Sequence, residues 1–360
     1  ELRDHGYATV GVISGKFLSA TYRLNQGFQH YNDDESIKAA YGITSAGVTR
    51  RALDLARQAG GGNRPLFLFV HYFDPHYNYL NHVEIDFAPP AAGRLTGMED
   101  IHELRRMSED MSQEETDFLR ACYDEEIRFT DAAIGDLLRG LEGQGITADN
   151  TLMVLTSDHG EEFLERGWIG HTRTLYEELL RVPLVMVGPK SLWGAGRMIA
   201  APVSTVAIMP TILDGLGMDV GELEFHAASL MPLARGVGSD LEAQLLGEVD
   251  FEPMMEDNAV KTTFKKALIT AEYKLIRDDR SGALELYNLT DDPHEKKNLV
   301  DQEPGRAAEL SLLLTEMLGP LRRGTPSADD VQLDRQQIED LRSLGYVGSG
   351  GEKETGRDRD

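Results

Sequence analysis

The stretch TLMVLTSDHGEE, residues 151–162, decides how this chain of 360 residues is interpreted. Its apolar segment, 152–155, has the length and composition of a buried strand, and Asp158, His159 and Gly160 follow where that strand ends. In open α/β sheets, ligands bind just beyond the carboxyl ends of the strands. A carboxylate and an imidazole placed there are suitable ligands for a divalent metal ion. Two protein ligands do not complete such a site, so we expect others to come from elsewhere.

Strand-like and helix-like segments alternate along the first 235 residues. The apolar patterns predict strands at 7–14, 66–73, 151–157 and 182–188, and helices at 44–59, 112–143, 173–180 and 203–217. Residues 77–111 have little regular pattern, and we expect a long loop there. This alternation predicts an α/β domain, residues 1–235, with a mostly parallel mixed sheet between helices.

The sequence pattern changes after residue 236. Short strand-like segments are separated by turn signals, and an apolar helical pattern covers 305–321. We therefore predict a small C-terminal antiparallel α+β subdomain over 236–348. The last residues, 349–360, are polar and glycine-rich and are expected to be a disordered tail.

The charge balance of the chain limits the classes of partner. It contains 36 basic and 61 acidic residues, a formal net charge of −25. A broad cationic surface for nucleic acid is therefore not expected, and an anionic substrate would need a local cationic centre such as a metal ion. No apolar run is long enough to cross a bilayer, so no transmembrane segment is predicted.

The single cysteine, Cys122, cannot form an intrachain disulfide. It lies in a predicted amphipathic helix beside acidic residues, which would raise the pKa of its thiol. We interpret Cys122 as a core residue and not as a nucleophile.

Two further histidines, His76 and His171, are candidate site residues. His76 comes after the apolar strand 66–73, in HYFDPH, so we expect that strand to deliver it to the same sheet edge as Asp158. A neutral His76 could donate a hydrogen bond to an anionic ester oxygen or protonate a leaving group. His171 lies in a loop about a dozen residues after the Asp-His-Gly turn. It could be a further metal ligand or could contact an anion, while a surface loop histidine is the simpler alternative.

Several segments, taken in order, resemble the sulfatase family of the alkaline-phosphatase-like superfamily. They cover nearly the whole chain: GFQHYND (27–33), FVHYFDPHYNY (69–79), the helix, strand and turn of 122–162, GHTRTLYEELLRVPLVMVGP (170–189), LYNLTDDPHEKKNLV (286–300) and LRSLGYVG (341–348). This resemblance implies an alkaline-phosphatase-like α/β fold with a small C-terminal subdomain. It also implies hydrolysis of a small-molecule or glycan sulfate ester at one divalent metal ion, usually Ca²⁺.

The resemblance also assigns roles to individual residues. Asp158 matches the family's metal-ligating aspartate, and His159 matches the neighbouring ligand, which is asparagine in many members. His76 matches the histidine that contacts the sulfate and the leaving oxygen. The family often has a lysine in the 170–176 loop, and His171 lies one residue from that position. The resemblance therefore implies His76 and His171 as catalytic residues and Asp158 and His159 as metal ligands.

The sequence departs from the family at the nucleophile. The family uses a formylglycine made from a Cys/Ser-x-Pro/Ala-x-Arg motif, and this motif does not occur in the chain. Two further aspartate ligands normally precede it. We therefore expect an N-terminally truncated sulfatase, with an incomplete first part of the fold and weak metal binding. The expected missing segment would carry the nucleophile, those aspartates, the first sheet strand and any export signal. Export is what the family implies, whereas the sequence itself assigns no compartment.

Two alternatives to a sulfatase remain at the level of sequence. The first is another member of the superfamily, a phosphoester or phosphonate hydrolase or a phosphoethanolamine transferase. The second is a non-catalytic fragment or binding module, which the absent nucleophile motif favours. The natural substrate and the oligomeric state have no readable signal in the sequence.

Overall fold

The structure is a computed structural model. It describes residues 1–37, 44–60, 64–77, 79–82, 84–194, 196–218, 223–237, 244–251 and 263–321. The predicted disordered tail, 349–360, and the segment 341–348 lie outside the described residues.

A three-stranded parallel sheet forms the first part of the fold. Strand β1 (Ala8–Val12) lies in the middle and pairs in parallel with β2 (His30–Asn32) and β3 (Leu66–Val70). Helix α1 (Ser45–Ala59) covers this sheet, and helix α3 (Gln113–Glu142) packs on α1. Buried aliphatic side chains of all these elements form one cluster: Val10, Val12, Val48, Ala52, Leu55, Leu137 and Leu141. The predicted strand–helix–strand alternation over residues 7–73 is confirmed.

The strand that precedes the Asp-His-Gly turn belongs to another sheet. Strand β4 (Met153–Thr156) pairs antiparallel with β7 (Leu184–Val187), and these two strands are not hydrogen-bonded to β1, β2 or β3 in the part of the chain that the structure describes. The expectation that β3 and β4 share one sheet edge is therefore corrected. The connection from β4 to β7 contains no long crossover helix, which a parallel pair usually requires, and the chain returns in the opposite direction.

Short elements fill the connection between β4 and β7. Strands β5 (Glu162–Phe163) and β6 (Ile169–Gly170) form a small antiparallel pair, and helix α4 (Glu177–Leu180) follows. The predicted short helix at 173–180 is thus present over its second half.

The predicted long loop at 77–111 contains a helix, α2 (Ile101–Met107). Its N-cap is Asp100, whose side chain accepts a hydrogen bond from the backbone N–H of Glu103. Its buried residues Ile101, Leu104 and Arg105 have helical spacing. This signal was missed because the apolar part of the pattern has only two positions in seven residues.

Outside α2, segments of 77–111 are hydrogen-bonded to buried carboxylates of helix α3. Helix α3 begins with a capping box: the Ser112 side chain accepts from Glu115 N, and the Glu115 carboxylate accepts from Ser112 N. Further along α3, the fully buried Glu125 accepts hydrogen bonds from three backbone N–H groups, those of His82, Phe87 and Ala88, at 2.7–2.8 Å. A carboxylate with three such donors orders a segment that has no regular secondary structure.

Short helices connect the α/β part to the C-terminal sheet. They are α5 (Lys190–Trp193), α6 (Ile208–Gly215), which follows a 3₁₀ turn at Thr205–Ala207, and α7 (Met231–Ala234). No helix in the described ranges combines the length and the hydropathy that a bilayer crossing needs.

The predicted antiparallel C-terminal sheet and its helix are confirmed within the described residues. The sheet consists of β8 (Leu245–Phe251), β9 (Thr263–Ile269), β10 (Tyr273–Asp278) and β11 (Leu284–Asn288), in the order β11-β10-β9-β8. Helix α8 (Pro304–Leu321) packs on one face through aliphatic residues: Leu268, Leu275, Leu286, Ala307, Leu310, Leu314 and Leu318.

The buried carboxyl of Glu126 should make stability depend on pH. Its Oε1 accepts from Leu80 N at 3.1 Å, and burial raises its pKa well above the ordinary value of 4.5. Because the folded state disfavours the charged form, wild-type stability should fall relative to Glu126→Gln as the pH rises above about 4.5. The difference should grow by up to about 1.4 kcal/mol per pH unit in urea unfolding curves. The exposed Glu142, also on α3, gives the control Glu142→Gln; the same pH-independent difference for both variants would contradict the prediction.

Candidate active site

The segment that follows β3 is fixed to the start of α1. Asp74 is buried, and its carboxylate accepts from Thr44 N at 3.0 Å and Ser45 N at 2.8 Å. The Ser45 hydroxyl donates to the same carboxylate. These bonds satisfy N–H groups at the start of α1. They also fix Asp74, which lies two residues before His76, and so restrict the position of His76.

His76 lies buried between two aromatic rings. Its ring centroid is 4.1 Å from that of Phe73 and 4.1 Å from that of Tyr77, and its Nδ1 is 3.2 Å from the Tyr77 carbonyl oxygen. Burial lowers the pKa of His76 well below 6.5, and the nearby His171 lowers it further. The ring is therefore neutral near pH 7 in the absence of a bound anion.

The Asp158–His159 pair presents its polar atoms together. The Nδ1 of His159 is 2.9 Å from the Gly160 carbonyl oxygen, and its Nε2 is 3.7 Å from Oδ2 of Asp158. A ring that donates its Nδ1–H to a carbonyl has its lone pair at Nε2, the atom a metal ion would bind. Burial raises the pKa of Asp158, but His159 and His71 outweigh it, so the net pKa is lowered and the carboxylate is ionised at neutral pH.

These two residues fit part of a metal site. No group of three or more His, Cys, Asp or Glu side chains with metal-binding geometry occurs within the described residues. Calcium takes six to eight oxygen ligands, and even zinc sites use three protein ligands. Asp158 and His159 therefore suit a divalent metal ion only when other groups complete its coordination.

His171 lies between the other two predicted histidines. Its ring centroid is 4.0 Å from that of His159 and 5.5 Å from that of His76. The loop after β6 therefore brings His171 to the turn after β4 and to the segment after β3, although these strands are in different sheets. The four residues proposed from the sequence are assembled in one place.

Both ring nitrogens of His171 face protein groups. Nδ1 is 3.0 Å from Oε1 of Glu161, and Nε2 is 3.0 Å from the hydroxyl of Tyr77, whose ring stacks on the imidazole at 4.9 Å. Direct contact of His171 with a metal ion or a substrate would require one of these partners to move. Glu161 itself is a buried carboxyl whose pKa burial raises to about 8.

Sequence reasoning missed Glu161, Tyr77 and a pair of arginines. The Cζ atoms of Arg105 and Arg173 lie 4.7 Å and 4.1 Å from the centroid of the same Trp168 ring. Burial and the neighbouring Arg105 lower the pKa of Arg173. The arginines place positive charge beside His171 in a strongly acidic chain. The assignment of 77–111 as a loop concealed Arg105, whereas Arg173, two residues after His171, was visible in the sequence.

The glycine of the Asp-His-Gly turn is required by close packing. Gly160 N donates to the Leu179 carbonyl at 2.8 Å, and a Cβ at position 160 would overlap the carbonyl oxygen of Glu178. Helix α4 therefore contacts the backbone of the turn that carries Asp158 and His159. The sequence shows Gly160 directly after the Asp-His pair, and the structure gives the reason that no side chain fits there.

Two family models match the chain. The model described as Sulfatase matches residues 2–218, and the model described as N-sulphoglucosamine sulphohydrolase, C-terminal, matches residues 164–323. The chain belongs to the sulfatase family. All four proposed site residues lie in the part matched by the Sulfatase model, and the sulfatase C-terminal sheet lies in the part matched by the second model.

Individual proteins similar to this sulfatase chain cover much of its length. It is 29% identical over 208 residues to arylsulfatase K of Danio rerio, and 30% identical over 216 residues to N-acetylglucosamine-6-O-sulfatase of Bacteroides thetaiotaomicron. Each alignment covers 58% of this chain and 38% of the relative, so the chain spans less than half of their length.

Solved structures share the fold. A protein in complex with its substrate D-glucosamine-2-N,6-O-disulfate superposes with a TM-score of 0.68 at 20% identity, over 91% of this chain and 83% of that one. The phosphonate monoester hydrolase of Agrobacterium radiobacter superposes with a TM-score of 0.68 at 18% identity, over 88% and 79%. At these identities the likeness concerns the alkaline-phosphatase-like fold and not the substrate.

Replacing Gly160 should displace the backbone of the Asp-His-Gly turn. Gly160→Ala forces the backbone away from Glu178 and should lower the free energy of unfolding by about 1–3 kcal/mol. It should also shift the ring signals of His159 in NMR spectra. Urea unfolding and histidine NMR measure the two effects.

The control for this prediction is Gly196→Ala. A Cβ at position 196 meets nothing within 4 Å, and the backbone φ is not positive. This variant should change stability by less than about 0.5 kcal/mol. If Gly160→Ala were equally neutral and left the His159 signals unchanged, the packing explanation would be wrong.

Proposed function

We propose that this chain contributes the leaving-group and downstream metal-binding residues of a sulfuric ester hydrolase. Its substrates would be small-molecule or glycan sulfate esters, and its metal ion would be Ca²⁺. The observation that carries this proposal is the convergence of His76, His171 and the Asp158–His159 pair, in a chain of the sulfatase family.

Asp158 and His159 would hold the metal ion. A Ca²⁺ ion held there would supply positive charge to the sulfuryl oxygens of the bound ester. Both ligands are in a state that suits metal binding. The carboxylate of Asp158 is ionised, and the Gly160 carbonyl orients the ring of His159. A ring held in one orientation loses little conformational entropy when it binds.

His76 would act on the leaving oxygen. The neutral ring is buried against Phe73 and Tyr77, and an anionic sulfate ester next to it would favour the protonated form and raise its pKa. A protonated His76 would then donate to the ester oxygen and pass its proton to the departing alkoxide. The low pKa of the free site keeps the ring uncharged until an anion arrives.

His171 would contribute through its contacts with other groups of the site. It lies against the His159 ring and is bonded to Glu161 and Tyr77, so it can restrict the position of the metal-binding imidazole. Arg105 and Arg173 would add positive potential on the same side, which favours an anionic substrate. We also propose that His171 contacts the sulfate directly. The Tyr77 hydroxyl would then move away from Nε2 of His171.

The nucleophile and the remaining metal ligands would come from residues outside these 360. The formylglycine motif is absent from the sequence, and among the described residues no third His, Cys, Asp or Glu side chain joins Asp158 and His159 in a metal-binding group. We therefore propose that the chain alone is catalytically incomplete and binds Ca²⁺ weakly. The N-terminal segment that the family resemblance implies would supply the missing groups.

Hydrolysis of phosphate or phosphonate esters is the second candidate. The structural likeness to a phosphonate monoester hydrolase favours it, since the same fold then carries both reactions. The site described above would bind a tetrahedral oxyanion in either case. The two candidates differ in the ester that is cleaved, which an assay with paired substrates decides.

Calcium titration of the 360-residue chain tests the proposed metal ligands. Isothermal titration calorimetry should give a dissociation constant on the order of 10⁻³ M or weaker, because most ligands are missing. Asp158→Asn should abolish the signal, and Asp149→Asn, at an exposed position, should leave it unchanged. Tight binding by the chain, or rapid turnover of an aryl sulfate by it, would contradict catalytic incompleteness.

Paired substrates test the reaction itself. The complete gene product, with any residues encoded before Glu1, should hydrolyse an aryl sulfate in the presence of Ca²⁺ faster than the matching aryl phosphate. His76→Ala should lower kcat by about 10²- to 10⁴-fold, whereas His5→Ala, at an exposed position, should not. Cleavage of the phosphate alone would refute the sulfatase assignment and support the second candidate.

A further inference from the structure

A buried ion pair joins the C-terminal sheet to the loop of His171. Lys274 on β10 and Glu295, which follows β11, both have fully buried side chains, and Lys274 Nζ lies 2.9 Å from Oε1 of Glu295. The same ammonium group lies 2.7 Å from Oε1 of Glu177 and 3.3 Å from the Leu175 carbonyl oxygen. Lys274 thus bridges the two parts of the chain.

Glu295 also binds the first residue of α4. Its Oε2 accepts from Glu177 N at 2.7 Å, so one carboxylate holds both the ammonium group and the backbone of α4. The backbone of Glu295 has a φ of +49°, a conformation that non-glycine residues rarely adopt. Such strain persists where the surrounding contacts fix the residue, and it concentrates at functional positions.

Arg166 attaches the other end of the His171 loop to the same place. Its guanidinium donates to the carbonyls of Glu295 at 2.9 Å and His294 at 2.7 Å, and its Cζ lies 4.1 Å from the centroid of the Tyr176 ring. The segment from Arg166 to Glu177 is therefore held at both ends by residues 294–295. His171 lies in the middle of this segment.

Helix α4 carries the same constraint to the metal-binding turn. The helix that Glu295 holds at its start also packs against Gly160, as described above. A displacement of α4 would therefore move the backbone next to Asp158 and His159. The contacts of one C-terminal carboxylate extend to both halves of the site.

Stability alone does not explain this arrangement. A buried lysine with carboxylates has a large desolvation cost, and apolar side chains of similar volume often give equal or greater stability. What an apolar pair cannot supply is the acceptor for Glu177 N and the fixed position of α4.

We propose that Glu295, together with Lys274, is a positioning residue that sets the orientation of His171 and of the Asp158–His159–Gly160 turn. The role of these histidines in catalysis rests on the proposed function. The positioning itself does not depend on which ester is cleaved.

Hydrogen exchange and histidine NMR test the proposal on the 360-residue chain. Glu295→Gln, Lys274→Met and the double variant Lys274→Met/Glu295→Met are compared with wild type well below their unfolding temperatures. The control is Glu309→Gln, which removes an exposed ion pair with Arg306 on α8. Exchange is followed in 166–180 and, as an internal reference, in α3.

The double variant separates positioning from stability. Removal of the buried charges should offset the lost acceptor of Glu177 N, so its overall stability should stay within about 1–2 kcal/mol of wild type. Exchange in 166–180 should nevertheless be at least about 10-fold faster, and the ¹⁵N signals of His171 should move towards those of a free imidazole. Glu295→Gln should give the same direction of change, and α3 should keep its protection in every variant. In Glu309→Gln, both 166–180 and the His171 signals should remain as in wild type.

Two results would overturn the proposal. One is wild-type exchange in 166–180 together with wild-type His171 signals in the double variant. The other is a uniform loss of protection that includes α3 and simply follows the loss of stability. Failure of the proposed function can be distinguished from these results. In that case the complete gene product would not hydrolyse sulfate esters, while the exchange and the His171 signals would still change in the variants as described.

Discussion

The absence of a side chain at Gly160 is the constraint on which the candidate site depends. The backbone of the Asp-His-Gly turn approaches the carbonyls of Glu178 and Leu179 so closely that the turn and α4 form one packed unit. His171 belongs to the segment that leads into this helix, and its ring lies against that of His159. The position of α4 therefore determines how far the proposed metal ligands lie from the neighbouring histidine.

Electrostatics at the site differ from those of the chain as a whole. The sequence has an excess of 25 negative charges, but the site combines the neutral, buried His76 with Arg105 and Arg173 around Trp168. Long-range repulsion of an anionic substrate is screened by salt, whereas contacts within a partly buried site are screened much less. An acidic protein of this kind can therefore accept an anion at one place without binding polyanions over its surface.

Much of the fold could be predicted from the sequence because its elements have regular patterns. The apolar pattern predicted a helix at 112–143, which matches α3, Gln113–Glu142, almost to the residue. Helix α2 was missed because a short helix held by Asp100 has too few apolar positions to reveal a period. The pairing of β4 with β7 was missed because strand direction depends on the path of the connection and not on strand composition.

The residues of the candidate site could be named only in part. His76, Asp158 and His159 could be named because they follow predicted strands and match segments of a known family. His171 could be named because its loop comes soon after the Asp-His-Gly turn and lies in another such segment. Tyr77 could not, since its importance arises from a buried contact with His171, which is far away in sequence. Glu161 could not, since nothing in the sequence indicates that its carboxyl is buried against His171. Lys274 was concealed for the same reason, within an ordinary strand pattern.

The contact between Lys274 and Glu295 has a consequence for how the molecule is made. A ribosome delivers His76, Asp158 and His171 well before Glu295, which follows His171 by 124 positions (295 − 171). During synthesis the early segments can form their parallel sheet, but α4 has no partner for Glu177 N until the last strands emerge. The sheet and helices of the α/β part could thus fold in a nascent chain before α4, His171 and the Asp-His-Gly turn reach their final positions. Geometry at the site would be among the last properties that the protein acquires.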